Sequence, residues 1–389
     1  MKMSDSENRD KIPPEETSSG PPFPPEAVPL LLDWYRANAR SLPWRESRDA
    51  YRVMVSEVML QQTRAEAVKP YFTRFLEALP TVSALAEADE DTLLKLWEGL
   101  GYYSRVRNLQ RAAQRILSDY GGVVPSDAAV LRSLPGIGRY TAGAVASIAY
   151  DIPVPAVDGN VLRVLARLTA DSTDVLSSEA KTSAEEALIP CIPSPGAGDF
   201  TQSLIELGAL VCLPGEPKCG ACPLALLCRA HAEGRERELP VRGAQKARRT
   251  EQRIVLVLRP GGEVAPSVVI RRRPAGLLGG LYEFPNFLCR ELPDVPCGGI
   301  PARIDAFLRG MGMQPLAVRS CGKARHLFTH VEWQMEGFCI ALPENTHLPE
   351  GWLAVSPADL QDSVALPSAF SAFRTAAGLP AQTGKKRKP

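Results

Sequence analysis

The sequence predicts a mainly helical domain followed by a smaller α+β domain. Three observations carry this. Over residues 26–232 apolar residues recur at three- and four-residue spacing, as in AVPLLLDWYRANAR, VSALAEADEDTLLKLWEGL and DAAVLRSL, with Pro- and Gly-containing turns between them. A charged stretch, EGRERELPVRGAQKARRTEQR, then interrupts the pattern and reads as a linker at 233–250. Over 251–378 the period changes: RIVLVLR, SVVIRRR and VEWQMEGFCIAL read as strands, and IPARIDAFLRGMG supplies a helix.

Both ends differ from these domains. Residues 1–25 are rich in Pro, Ser, Glu and Lys and have nothing to bury, so disorder is expected. Residues 379–389 form a basic tail ending in GKKRKP. A length of 389 residues suits two or three domains, and 45% hydrophobic with 23% charged residues is ordinary for a soluble globular protein. The net charge of +1 selects no partner, so any contact with a polyanion must come from a local patch. No apolar run approaches membrane-spanning length and the N-terminus lacks a signal core, so no membrane partner is expected. The expected compartment is a reducing one: a bacterial cytoplasm, or a nucleus if the source is eukaryotic and the tail is an address. In such a compartment a close group of cysteines points to metal rather than to disulfides.

That group is CLPGEPKCGACPLALLC. It places Cys212, Cys219, Cys222 and Cys228 in a C-x6-C-x2-C-x5-C pattern. Four thiolates this close can ligate zinc or a [4Fe–4S] cluster, and ligand count alone does not separate the two. Cys191, Cys289, Cys297, Cys321 and Cys339 are scattered and read as ordinary thiols.

Three further stretches bear on chemistry. In LPGIGRYTAGAVA, Gly136 and Gly138 open a helix entrance where bare backbone N–H groups can approach an anion, although a plain tight turn would use the same residues. In AYDIPVPAVDGNVLRVLARL, Asp158 stands where it would cap a helix, a place that favours the charged form of a carboxyl and suits it to stabilise a developing oxocarbenium ion. In YRVMVSEVMLQQTR, Glu57 has Val53, Met54 and Leu60 as helical neighbours. A carboxyl on that apolar face should keep its proton and serve as a general acid; a Glu at the edge of the stripe with its head in water is the competing reading. One proton-holding and one charged carboxyl is the arrangement that cleaves glycosidic bonds. Arg107, Arg111 and Arg115 recur on one helical face, which suits DNA and suits a solvated surface equally.

LPWR at 42–45, SEVMLQQTR at 56–64, WEGLGYYSR at 97–105, LPGIGRYTA, VDGN at 157–160 and the cysteine spacing fall in the order of one family. From about Val28 to near residue 375 the chain resembles the MutY family of adenine DNA glycosylases, in the helix-hairpin-helix superfamily that includes endonuclease III. The resemblance implies a helix-hairpin-helix glycosylase fold, with a six-helix barrel and an iron–sulfur subdomain, followed by a Nudix-like domain. It implies a [4Fe–4S] cluster on Cys212, Cys219, Cys222 and Cys228. It also implies a monomer acting on double-stranded DNA that carries A opposite 8-oxoguanine or G.

Roles follow residue by residue from the same resemblance. Glu57 protonates the extruded adenine at N7. Asp158 stabilises or captures the sugar cation, with Asn160 and Tyr140 holding that carboxylate and the intermediate. Gln62 and Tyr102 wedge into the base stack, and Thr63 faces the lesion strand. Arg45 and Gln202 line the adenine pocket, and Gly136 and Gly138 grip a phosphate. Glu206 is given no catalytic role. Endonuclease III-type relatives carry lysine where Tyr140 stands; a tyrosine cannot form a Schiff base, so a monofunctional enzyme is expected. In the second domain RPAGLLGGLYEFP, at 273–285, matches a family region, but no Glu-rich box for Mg²⁺ is present, so binding without hydrolysis is expected. HLFTH supplies Phe328, Thr329 and His330 for contact with 8-oxoguanine, with threonine where the family usually has serine. Two other readings are a lyase of the endonuclease III type and a non-catalytic DNA-bound iron–sulfur protein; Tyr140 and the second domain oppose the first, Glu57 and Asp158 the second.

Overall fold

The structure is a computed structural model that describes residues 23–243, 247–262, 267–274 and 276–380. Residues 1–22 and 381–389, on which most of the terminal-disorder expectation and the GKKRKP tail fall, lie outside the described residues, as does Ala275 within the RPAGLLGGLYEFP stretch. Twelve α-helices precede the first strand among the described residues. They are α1 (Ala27–Asn38), α2 (Ala50–Leu60), α3 (Ala65–Ala78), α4 (Val82–Glu87), α5 (Glu90–Leu96), α6 (Ser104–Tyr120), α7 (Ala128–Arg132), α8 (Arg139–Tyr150), α9 (Gly159–Leu168), α10 (Ser178–Leu188), α11 (Ala197–Leu210) and α12 (Arg229–Ala232). Then come β1 (Arg249–Pro260), β2 (Val268–Arg272), β3 (Tyr282–Glu283), β4 (Asn286–Leu288), α13 (Gly299–Gly310), β5 (Ala317–Leu327), β6 (Val331–Leu342), β7 (Trp352–Val355) and α14 (Pro357–Asp362). Among the described residues no helix is long and apolar enough to cross a membrane.

The chain divides into two compact units. One contains the chain up to Arg40 together with Ala142–Gly243; the other contains Ser41–Thr141 together with the chain from Ala244 onward. In the first, α9 is buried along nearly its whole length and packs with α1 and α11 through Leu31, Val161, Leu165, Leu204 and Leu207. The segment after α12 is tied to the same helix, because Arg167 Nε donates to Leu239 O and Leu239 is buried.

In the second unit α2 starts at an Asp49 cap and is buried at Tyr51 and from Val53 through Met59. A helix buried around its circumference lies inside its domain. Helix α6 buries Val106, Leu109, Ala112, Ala113 and Ile116 and ends at Gly121 in the left-handed region, a common helix stop. The C-terminal part carries a four-stranded sheet in the order β4-β1-β6-β5 and a three-stranded sheet in the order β3-β2-β7. β1 and β6 are parallel from Arg249↔Val331 to Pro260↔Leu342, and β5 is antiparallel to β6. Helix α13 covers one core, with Ile304 and Leu308 against Phe338 and Ile340; Phe370 and Phe373 cover the other, with Trp333 and Met335. The helical and α+β halves predicted from the sequence are both present.

Candidate active site

Glu57 lies on α2 and is only 5% exposed. The apolar neighbours that the sequence placed around it do bury it, and the competing reading, with the head in water, is excluded. Tyr140, in the second residue of α8, donates its hydroxyl to Glu57 Oε2 at 2.6 Å. The resemblance assigned Tyr140 to the Asp158 carboxylate and the intermediate; the structure adds a hydrogen bond to Glu57.

Asp158 caps α9 as expected. Its Oδ1 accepts from the backbone N–H groups of Asn160 and Val161, both at 2.8 Å, and its Oδ2 accepts from Asn160 Nδ2 at 2.7 Å. The sequence reading stressed only the charge-favouring side of such a cap. Burial pushes the Asp158 carboxyl above the ordinary aspartate range, and the donors from Val161 and Asn160 pull against it. Asn160 is fixed in turn: its Oδ1 accepts from Arg163 Nη2 at 2.9 Å, and Arg163 also donates to Gly208 O and Cys212 O. Gly208 of α11 is required here, since a Cβ would stand 2.6 Å from that of Asn160. Gln202, two turns earlier on α11, is half-buried.

The four cysteines of the spaced pattern line one cavity, together with Val164, Arg167, Leu207 and Leu224. Burial raises the thiols of Cys219, Cys222 and Cys228, with Cys222 pushed up to about 11, and their mutual repulsion adds to the effect. Arg167 Nη1 donates to Cys212 Sγ at 3.3 Å. Thiolates in such a cavity need a cation to offset them. Among the described residues the group of ligand-type atoms within 4.8 Å of one another is Cys219, His231 and Glu236, rather than three of the four cysteines. Around a single Zn²⁺ at about 2.3 Å from each sulfur, tetrahedral thiolates stand roughly 3.8 Å apart. The cysteines are spread wider than one ion's shell.

The remaining predicted residues lie in the second unit, on turns. Gly136 and Gly138 are exposed in the turn between α7 and α8, with Gly136 at φ +75°, where a Cβ would stand 2.5 Å from Asn108 Cβ. Gln62 follows α2, exposed and at φ +57°; Tyr102 precedes α6, 47% exposed and at φ +49°. Non-glycine residues in the left-handed region are strained and cluster at functional sites. Thr63 is half-buried beside Gln62, and Arg45 is half-buried at the end of a short turn, Pro43–Arg45. Phe328, Thr329 and His330 form the β5–β6 turn, closed by Phe328 N–H on Val331 O. Phe328 packs on Trp333 and His326, whereas Thr329 and His330 are exposed. Thr329 Oγ1 lies 3.3 Å from the Tyr102 hydroxyl, and both line a cavity of about 560 Å³ with Leu278 and Arg107.

Glu283 is fully buried between Arg271 Nε at 3.0 Å and Arg273 Nη1 at 2.5 Å. Each of its oxygens is engaged by an arginine. Arg107, Arg111 and Arg115 are engaged within the chain, on Glu90 and Gly279 O, on Asn108, and on Ser133 O respectively. The sequence reading missed the buried arginines Arg105, Arg163 and Arg167. The signal available was weak: each interrupts an otherwise apolar helical stripe. Glu206, given no catalytic role, is fully buried on α11 and receives Arg40 Nε at 2.7 Å, Nη2 at 2.8 Å and backbone N–H at 3.0 Å. Glu206→Ala removes this buried carboxylate from part-buried Arg40, and losing a hydrogen bond to a charged group costs about 1.5–3 kcal/mol. Denaturant unfolding should report a loss of that size.

Residues 55–190 match the HhH-GPD superfamily of base excision DNA repair proteins, and residues 254–376 match the NUDIX domain family. An adenine DNA glycosylase of Rattus norvegicus is 36% identical over 377 residues, spanning 83% of this chain and 73% of its own length. One from Schizosaccharomyces pombe is 31% identical over 398 residues, spanning 85% of each chain. Among solved structures, a non-covalent endonuclease III–DNA complex is 27% identical with a TM-score of 0.47, covering 55% of this chain and 98% of that one. The matched domains define a helix-hairpin-helix base excision repair protein with a Nudix-like C-terminal domain. Within that class, the chain belongs to the adenine DNA glycosylase family.

Proposed function

We propose that this DNA glycosylase removes adenine paired with 8-oxoguanine or guanine and leaves an abasic site without cutting the strand. Glu57 gives its proton to N7 of the extruded adenine. The C1′–N9 bond then breaks, with its electron pair leaving on the base. Asp158, ionised and held by Asn160 and the start of α9, stabilises the sugar cation until water adds at C1′ and a proton is released. The observation that carries the reading is a buried carboxyl on α2 whose one oxygen is engaged by the Tyr140 hydroxyl. Exposed amides around Gly136 and Gly138 suit a phosphate. Gln62 and Tyr102 are the wedge, Thr63 faces the lesion strand, Arg45 and Gln202 serve the adenine pocket, and Phe328, Thr329 and His330 contact the lesion. The enzyme acts as a monomer.

A [4Fe–4S] cluster fits the cysteine cavity. Its four thiols line one hollow at wider spacing than a single ion takes, and Arg167 already faces Cys212 Sγ. Cys212, Cys219, Cys222 and Cys228 would hold it, and bound there it offsets the thiolate charge and cross-links the chain from 212 to 228.

The test is a duplex with adenine opposite 8-oxoguanine, incubated with the protein and then heated in alkali. Cleavage only after alkali is expected; cleavage before alkali indicates a lyase, and none in either case overturns the assignment. Tyr140→Lys places an amine beside Glu57, where it can attack C1′ and form a Schiff base. Borohydride-trapped protein–DNA adducts should accompany this variant and be absent from the unaltered protein; efficient trapping by the latter contradicts the role given to Tyr140.

A further inference from the structure

Arg105, in the first turn of α6, is 7% exposed, and its guanidinium reaches two separate turns. Nη1 donates toward Val58 O at 3.0 Å, Met59 O at 2.9 Å and Gln61 O at 2.5 Å, at the end of α2. Nη2 donates toward Leu100 O at 3.1 Å, Gly101 O at 3.0 Å and Thr63 Oγ1 at 3.3 Å. The same group lies 5.3 Å from the Trp97 ring centroid and 5.5 Å from that of Tyr102. Burial draws its pKa down to about 10, which leaves it charged at neutral pH. A cation at the end of α2 also complements the negative pole of that helix.

The carbonyls it engages flank Gln62 and Tyr102, two of the non-glycine residues in the left-handed region. We propose that Arg105 is the positioning residue that holds the Gln62 turn and the Tyr102 turn in one register, so that the two side chains enter the base stack as a single wedge. This rests on the reading of Gln62 and Tyr102 as wedge residues. Only a planar fork with separated donors can span both turns; lysine supplies the charge from a single point and cannot bridge them.

The experiment compares Arg105→Lys with the unaltered protein in single-turnover excision from two duplexes. In one, adenine is paired with 8-oxoguanine; in the other it faces an abasic-site analogue, where extrusion needs little wedging. The ratio of the two rates within one preparation is independent of the folded fraction, so partial misfolding does not blur it. Arg105→Lys should lower the ratio of paired to unpaired rates about tenfold, and by less than about twofold in a Gln62→Ala/Tyr102→Ala background, because the substitutions act through the same wedge. An unchanged ratio, or a full tenfold drop in the double-variant background, overturns the proposal. Absence of excision by the unaltered protein overturns the glycosylase reading instead.

Discussion

Glu57→Gln should lower adenine excision by about 10³–10⁴-fold while leaving duplex binding close to that of the unaltered protein, the range expected for loss of a well-placed general acid. The amide keeps the shape of the carboxyl and keeps an oxygen for the Tyr140 hydroxyl, so the buried hydrogen bond on α2 survives. What is lost is the transferable proton. Single-turnover excision and gel-shift binding on the same duplex separate the two effects. Excision persisting within tenfold of the unaltered rate would reassign the acid.

Asp158→Asn should cost about 10²–10³-fold in the chemical step, comparable to removing one preorganised electrostatic contact from a transition state. Asparagine still caps a helix, so α9 should form. Its NH₂ group would face Asn160 Nδ2, however, donor against donor, where Oδ2 now accepts. Charge and local order are both disturbed, so the rate should fall together with about 1–3 kcal/mol of stability from the unpaired Asn160 donor. A pH profile adds an independent check. Burial raises the Asp158 carboxyl, and the ionised form is the working one. The rate should therefore fall with acidification at a pH above the ordinary aspartate range, near 4. An acid limb at or below that range would contradict the environment found for Asp158.

Much of this was legible in the chain. The buried setting of Glu57 follows from Val53, Met54 and Leu60 at helical spacing, and the Asp158 cap from its place before a strongly periodic helix. β1, β2, β6 and α13 were readable from their periods. β5 was not, because AVRSCGKARHL alternates with Lys and Arg on a half-exposed edge and its apolar signal is thin. The partner of Tyr140 was hidden, since Glu57 is 83 residues away in sequence. Arg105 was hidden for a similar reason: its acceptors are backbone carbonyls, which leave no trace in side-chain pattern. The direction of the Asp158 shift was missed because cap geometry is local, whereas burial is set by the packing of α1, α9 and α11.

Proton transfer to the leaving base is tested most directly with 7-deazaadenine opposite 8-oxoguanine, in which a C–H group replaces the N7 acceptor. The duplex should bind with affinity similar to that of the adenine duplex, yet release no base, and Glu57→Gln should change nothing further on it. Release of 7-deazaadenine by the unaltered protein, at a rate near that for adenine, would contradict a mechanism in which the Glu57 proton departs on N7.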